Sequence, residues 1–385
     1  MHIGFDISQT GTGKAGCGYF AHAMIQAMLE LAPEHRYSIF PSFGDFYFDA
    51  LMPIRNPYPG RDTHYGPRHL SREASREYWS GQGLESSLEN PGVIHANNFW
   101  CPTQLTSSQL IYTFYDMGFA VDPDWTTEAN RVGCFDGVFR SAMAADWVVA
   151  ISQASRTHYL SIFPHFPEDR IRVIYPCSRF ADSNAKGKRP KVLDHVPSGG
   201  FWLNVGTIEP RKNQRRLVES YARYLALGGA PMPLVLAGGK GWLMEDFQTH
   251  LSELGIEAQV LMTGYVTDDE LIWLYRNCYA NLYPSLFEGF GLPVLEGMQF
   301  GAPTLTTTST SIPEVAGEAT ILLKPEDTEG WAQAMLLLAV NADQRNRLSL
   351  AAREQAKRFD WKTSAAALLQ LYQDALASPK RYALT

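Results

Sequence analysis

The chain has 385 residues, and its 33 Lys and Arg against 40 Asp and Glu leave a formal charge of −7. At roughly 100–200 residues per domain this length predicts two domains or one unusually large one, and 45% hydrophobic with 19% charged residues excludes a disordered chain. The acidic balance argues against a nucleic-acid binder. No apolar run approaches the roughly 18 residues of a membrane span, and Met1–Asp6 lacks the pattern of a signal peptide. The five cysteines are odd in number, widely spaced and never CxxC, which predicts reduced thiols in a cytoplasmic protein without a zinc site.

In chain order, His2–Ser8 reads as a buried strand, a glycine-rich turn follows, and Tyr19–Leu31 repeats apolar residues at helical spacing. Further strands are expected at Val93–Ala96, Leu110–Tyr115, Trp147–Ile151 and Arg172–Tyr175. Residues 181–200 are polar, with two prolines and three glycines, and read as an interdomain linker. Beyond them Phe201–Val205, Leu234–Ala237, Val260–Thr263, Ala280–Tyr283 and Thr304–Thr307 alternate with helical patterns, and Trp361–Leu376 closes the chain as a helix. Continuous apolar strands alternating with helices predict an α/β protein of two doubly wound halves, whose ligands bind at the carboxyl edges of the sheets.

Three stretches carry chemistry. Gly11-Thr12-Gly13-Lys14-Ala15-Gly16, then Cys17-Gly18, formally satisfies GxGxxG between a strand and a helix. The acid that a dinucleotide fold needs after its second strand is missing, because Tyr37–Phe40 runs into Pro41-Ser42, and a P-loop is excluded by Ser8 and Ala15. A phosphate contact through backbone N–H groups and a plain tight turn both remain open. In Asn204-Val205-Gly206-Thr207-Ile208-Glu209-Pro210-Arg211-Lys212-Asn213 a strand ends at a glycine and a cation pair opens a helix. Cations there oppose the helix dipole at a cost of a few tenths of a kcal/mol, a cost that a bound diphosphate would offset; the bland alternative is a solvated surface pair. In Pro284-Ser285-Leu286-Phe287-Glu288-Gly289-Phe290-Gly291-Leu292-Pro293-Val294-Leu295-Glu296 a strand ends, a loop follows, and Pro293 marks a first helical turn. Glu288 and Glu296 can then face one ligand, as carboxylates on an inner face need hydrogen-bond donors such as sugar hydroxyls.

VGTIEPRKN, GYVTDDEL and YPSLFEGFGLPVLEGMQFGAPTLTTTSTSIPEVAGEA resemble the C-terminal half of family 4 glycosyltransferases, with the E-x7-E spacing at Glu288 and Glu296. Thr113-Phe114-Tyr115-Asp116-Met117 and Ala145–Arg156 resemble two further segments of that family. The resemblance implies a GT-B fold, in which two Rossmann-like domains face each other across a cleft and a C-terminal helix crosses back. The expected division is 1–185 for the acceptor side, 200–360 for the donor side, and 361–385 for the returning helix. It further implies a nucleotide-diphosphate sugar as co-substrate, no cofactor, no metal, and retention of anomeric configuration by front-face attack.

Carried over by position, Arg211 and Lys212 neutralise the leaving diphosphate, Glu288 contacts the transferred sugar, and Glu296 takes the ribose. Phe290, Gly291, Leu292 and Gly206 line the donor, and Gly16 with Gly18 close against the phosphates. Tyr115 stands where the family has histidine, and a phenol with a reference pKa of about 10 is a poor proton shuttle at neutral pH; Asp116 beside it is an acceptor-side candidate. His95, Asn97, Asn98 and Trp100 could contact acceptor sugar or finish a turn.

Asp122-Pro123-Asp124 spells DxD, read as a coincidence rather than a metal site. Segment 54–76 sets five arginines against Asp62 and Glu73, with Tyr58 and Tyr65 among them and Tyr78 and Trp79 just beyond. It is either a solvated loop or a lipid-diphosphate site at the inner membrane face. The expected activity is transfer of a hexose, first mannose from GDP-mannose, to a glycan or lipid-linked saccharide in polysaccharide synthesis. UDP-glucose or UDP-N-acetylglucosamine are the alternative donors, and a catalytically impaired sugar-nucleotide-binding module is the alternative function. Epimerisation or phosphorolysis would need an acid/base in the cleft and is disfavoured by Tyr115 in place of histidine. Hydride transfer is disfavoured by the missing ribose-binding acid, and peripheral membrane contact is open, without nucleic acid as partner.

Overall fold

The computed structural model describes residues 1–8, 10, 16–41, 58, 64, 71–80, 83–97, 102–181 and 183–381, with backbone alone at 72, 75, 76 and 80. It divides into two compact units: residues 1–117, 132–177 and 360–385 form the first, and 118–131 with 178–359 form the second.

Among the described residues the first unit holds strands β1 (His2–Asp6), β2 (Arg36–Phe40), β3 (Val93–Ala96), β4 (Gln109–Phe114), β5 (Trp147–Ala150) and β6 (Ile171–Val173). They lie in the order β2-β1-β3-β4-β5-β6, all parallel. Their apolar runs are buried because parallel sheets are covered on both faces. Helix α1 (Gly16–Leu31) follows β1 and buries Phe20, Ala21, Met24 and Met28. Helix α2 (Glu128–Ala144) precedes β5, with its residues from Val132 onward in this unit.

The second unit holds β7 (Trp202–Val205), β8 (Leu234–Ala237), β9 (Val260–Gly264), β10 (Ala280–Tyr283), β11 (Thr304–Thr307) and β12 (Ile321–Leu323), ordered β12-β11-β10-β7-β8-β9 and parallel. Successive residues of β7 point to opposite faces. Trp202 therefore joins one core with Leu234, Leu282, Leu305 and Trp331, while Phe201, Leu203 and Val205 join another with Val235, Trp273 and Leu274. Helices α3 (Gln214–Ala226), α4 (Asp268–Asn277) and α5 (Leu292–Gln299) follow β7, β9 and β10. A capping box between Thr267 and Glu270 starts α4.

The last helix, α6 (Trp361–Leu376), starts at an Asp360 cap that accepts the Thr363 N–H at 2.8 Å. It belongs to the first unit and packs on α1, with Trp361 meeting Phe20 at 6.1 Å between ring centroids.

Residues 181–200 depart from their expected role as a free linker. The described ones belong to the second unit, where Leu193 and Val196 are buried with Phe180 against Trp273, and a short 3-10 turn spans Lys191–Leu193. Two apolar side chains with places to bury them outweigh a polar average composition.

Candidate active site

In the second sheet β7 lies between β8 and β10, so the chain runs outward to β8 and β9 on one side and to β10, β11 and β12 on the other. Such a reversal opens a crevice at the carboxyl ends of the two central strands. The loops leaving β7 and β10 therefore meet there. Gly206 continues β7 with φ 149°, and a Cβ at Gly238, after β8, would fall 2.0 Å from the Gly206 carbonyl oxygen. Only glycine lets these loops touch. Pro210–Lys212 then forms a 3-10 turn, and Asn213, at φ 60°, separates it from α3. The Asn213 side-chain amide donates to the carbonyls of Pro284 at 3.1 Å and Pro325 at 2.9 Å, which pins the turn to the loop after β10.

The cation pair thus precedes the helix instead of opening it, which corrects the expectation of a direct helix-dipole conflict. Acids hold it in place. Arg211 Nη2 donates to Glu209 Oε1 at 2.8 Å, and its Nη1 donates to the Phe287 carbonyl at 2.8 Å and Glu288 Oε2 at 3.2 Å. Lys212 Nζ donates to Glu288 Oε1 at 2.6 Å and the Tyr283 hydroxyl at 2.8 Å. Glu288 Oε1 also accepts from Tyr283 at 2.8 Å and Ser285 at 2.5 Å. Its backbone is fixed too: the N–H donates to Thr310 Oγ1 at 2.9 Å, and the carbonyl accepts from Thr310 and Ser311. Burial alone would raise the Glu288 carboxyl, but Lys212 and Arg211 outweigh it and hold the pKa at about 2.

Glu288 therefore first fixes two cations, a role the spacing did not reveal. Lys212 has three N–H bonds, two of them committed, and its side chain stays 14% exposed.

Glu296 sits in α5, which begins at Gly291 with φ 101° and Pro293 in its first turn. A Cβ at Gly291 would lie 2.4 Å from Ile312 Cδ1, so both backbone angle and packing require glycine. The buried Glu296 pairs with Arg179 (Oε1 to Nε, 3.0 Å) and accepts the Tyr275 hydroxyl at 3.1 Å, while Arg179 Nη1 reaches Asp268 Oδ1 at 3.2 Å. Burial raises the Glu296 carboxyl above its ordinary value, and Arg179 opposes it only in part. The two glutamates thus head separate charged clusters within the unit. Arg179, Tyr275, Tyr283 and Glu209 were not singled out from sequence, although Glu209 and Tyr283 lay in quoted motifs. Phe290 is buried edge-to-face on Phe359 at 5.5 Å, and Leu292 is half-buried in the first turn of α5.

In the first unit Gly16 is exposed and Gly18 buried in the opening turn of α1; residues 11–15 lie outside the described residues. Tyr115 is held by backbone. Its buried hydroxyl donates to the backbone carbonyl of Asn97 at 2.9 Å, with that of Cys17 at 3.3 Å, and burial pushes its pKa well above the ordinary tyrosine value. Asp116 beside it is half-buried, close enough for its charge to act on Cys17 and His158.

His95 and Asn97, the candidate acceptor contacts, are buried and hydrogen-bonded inside the unit. His95 Nδ1 meets the Tyr372 hydroxyl at 2.5 Å and Nε2 meets Thr113 Oγ1 at 2.8 Å, and burial lowers its pKa to about 3. Asn97 donates to the Asp6 carbonyl at 3.0 Å and accepts from Thr113 at 2.9 Å. Asn98 and Trp100 lie outside the described residues, as does most of segment 54–76; within and beside it Tyr58 and Trp79 are buried, and Tyr58 bonds His22 at 2.9 Å. Asp122 accepts the Asp124 N–H at 2.9 Å as a cap. Among the described residues no three His, Cys, Asp or Glu are grouped to hold a metal ion, and no helix is long and apolar enough to cross a membrane.

Comparison with known proteins places this geometry. Residues 188–355 match the family described as glycosyl transferases group 1. The chain is 31% identical, over 73% of its length and 74% of the relative's, to O-antigen chain mannosyltransferase B of Escherichia coli. It is 26% identical to the serotype-specific mannosyltransferase WbdA of Escherichia coli over 95% of this chain and 47% of that one, so it spans about half of that relative. Its fold matches Anabaena HepE, solved in complex with UDP-glucose, with a TM-score of 0.67 at 18% identity over 97% of this chain and 100% of that one. The chain belongs to the group 1 glycosyl transferases and is a glycosyltransferase with the GT-B fold.

Proposed function

We propose that this enzyme transfers a hexose, with retention and without a metal, from a nucleotide-diphosphate sugar to a glycan or lipid-linked saccharide in surface polysaccharide synthesis. Mannose from GDP-mannose is the first choice, supported by the names of the two Escherichia coli relatives. A nucleotide-sugar donor is also what HepE holds, and UDP-glucose or UDP-N-acetylglucosamine are the alternatives. The observation that carries the reading is the Arg211–Lys212–Glu288 cluster at the reversal point of the sheet.

Glu288 holds both cations before any ligand arrives, so little reorganisation is needed when charge builds on a departing diphosphate. The third Lys212 proton is the donor in reserve, and Glu288 Oε2, which accepts only at 3.2 Å from Arg211, has capacity left for a sugar hydroxyl. Glu296, buried with its negative charge only partly offset, is suited to accept two ribose hydroxyls.

The test is transfer from GDP-mannose, UDP-glucose and UDP-N-acetylglucosamine, with stability followed in parallel. Lys212→Ala and Arg211→Ala should each lower kcat about 10²–10³-fold while the far-UV spectrum is retained. EDTA should change nothing. Normal turnover in both variants would overturn the cluster's role, and loss of activity in EDTA would overturn the metal-free reading.

A further inference from the structure

Helix α2 buries Gly137, Val138, Ser141 and Ala142 on one side. On the other, Val132, Phe135, Phe139 and Met143 are 54%, 48%, 49% and 56% exposed. Steps of three, four and four residues place them in one stripe about 16 Å long. The rings of Phe135 and Phe139 stack with centroids 6.0 Å apart, and Phe139 leans on Phe163 at 6.2 Å. Single exposed apolar residues are ordinary, whereas a contiguous stripe on a soluble surface marks a binding face.

Between Val132 and Met143 this face carries one anion and one cation, Asp136 and Arg140, joined along the helix at 2.9 Å, and the Glu128–Arg131 ion pair lies one turn before it at 2.6 Å. The stripe is its own complement when reversed. A second copy laid antiparallel about a two-fold axis near residues 137 and 138 sets Val132 against the other copy's Met143 and Phe135 against its Phe139. It also sets Asp136 against the other copy's Arg140, and each contact occurs twice, as a two-fold interface requires. A Cβ built at Gly133 meets nothing within 4 Å, so the fold does not demand a glycine there.

We propose that this face of α2 pairs two copies of the chain. Charge selects this occupant over a lipid surface: the charges along the stripe cancel in two ion pairs, so nothing there draws an anionic bilayer, while across the two-fold Asp136 and Arg140 match. A single helix pair buries less than the roughly 800 Å² per partner of a standard complex. The dimer is accordingly weak and concentration-dependent.

Sedimentation equilibrium of the full chain over a wide concentration range should follow a monomer–dimer curve. Asp136→Arg alone, or Arg140→Asp alone, opposes like charges at both symmetric contacts and should weaken the dimer at least about tenfold. Mixing the two variants then offers two cations on one copy and two anions on the other, and association should return as a heterodimer. That rescue separates pairing from any effect of the substitutions on folding. A chain monomeric at every concentration would overturn the proposal, as would a dimer indifferent to these charges or a mixture that fails to reassociate. Flotation of the monomeric chain with phosphatidylglycerol vesicles, abolished by Phe139→Asp, would assign the stripe to lipid instead.

Discussion

Glu288 and Glu296 lie eight positions apart and share burial, yet their environments drive their protonation in opposite directions. Two cations and two hydroxyls converge on Glu288, whereas Glu296 has one arginine, itself shared with Asp268, and one tyrosine. A carboxyl whose folded pKa is raised contributes stability that is present below its unfolded pKa and lost as pH rises through the folded value. Ionised Glu296 is thus a cost at neutral pH, retained for what it binds. Glu296→Gln keeps the shape and removes the charge, so it should be neutral or stabilising at pH 7, and its advantage over wild type should shrink toward pH 4. Arg179→Ala does the reverse: it strands a buried carboxylate and should cost about 2–3 kcal/mol, less than a fully buried pair because Arg179 is 20% exposed. Denaturant unfolding at both pH values measures the two. A Glu296→Gln variant much less stable than wild type at pH 7 would remove the argument. The sequence marked both glutamates through their spacing, but it could not assign partners to them. Arg179 precedes a polar stretch and carries no local pattern, so only the fold brings it to Glu296.

Elements were legible where one physical signal dominated. A continuous apolar run located β8 to the residue, and mostly apolar or β-branched runs did the same for β3, β10 and β11, although these strands also bury His95, Asn281 and three threonines. The edge strand β12 escaped notice although Ile321-Leu322-Leu323 is apolar, because a run of three residues is too short to signal a strand. Loop contacts escaped too. The approach of Gly238 to Gly206 depends on how β8 and β7 pair, which no spacing rule encodes. The start of α5, by contrast, was readable from Gly291 and Pro293, and it sets where Glu296 points. Gly291→Ala must hold a Cβ at φ 101° and press it against Ile312. Backbone strain and overpacking together should cost about 2–4 kcal/mol, and the displaced helix should weaken donor binding in the same variant. Adding Ile312→Val removes the atom that clashes and should recover the packing share of that loss but leave the strain. If Ile312→Val recovered nothing, packing would have no part in the glycine requirement.

At the scale of the whole chain, order in sequence and membership in a unit part company. The final helix and tail follow the second unit in sequence, yet they belong to the first. The helix itself could be read from its period, but its anchor could not. Asp146, buried at the mouth of β5, accepts the Leu110 N–H at 2.9 Å, the Arg381 N–H at 2.6 Å and Lys380 Nζ at 3.1 Å. Arg381 also donates to the Ala142 carbonyl at 2.7 Å, near the end of α2, and Arg170 holds the Pro379 carbonyl at 2.9 Å. A carboxylate near the middle of the chain thus depends on donors at its far end, a pairing that only the closed fold creates. Ending the chain after Ala377 would leave Asp146 with one N–H and no cation in a buried site, at a cost of about 3 kcal/mol. That loss falls on the first unit alone. Hydrogen exchange of the truncated chain should therefore show protection lowered in β4, β5 and α6, with β7, β8 and β10 unchanged. Asp146→Asn in the full chain should give a smaller loss in the same places, because its side-chain oxygen still accepts one N–H. Loss spread evenly over both units would mean that the tail acts beyond the unit it joins, and that the Asp146 anchor is not what it supplies.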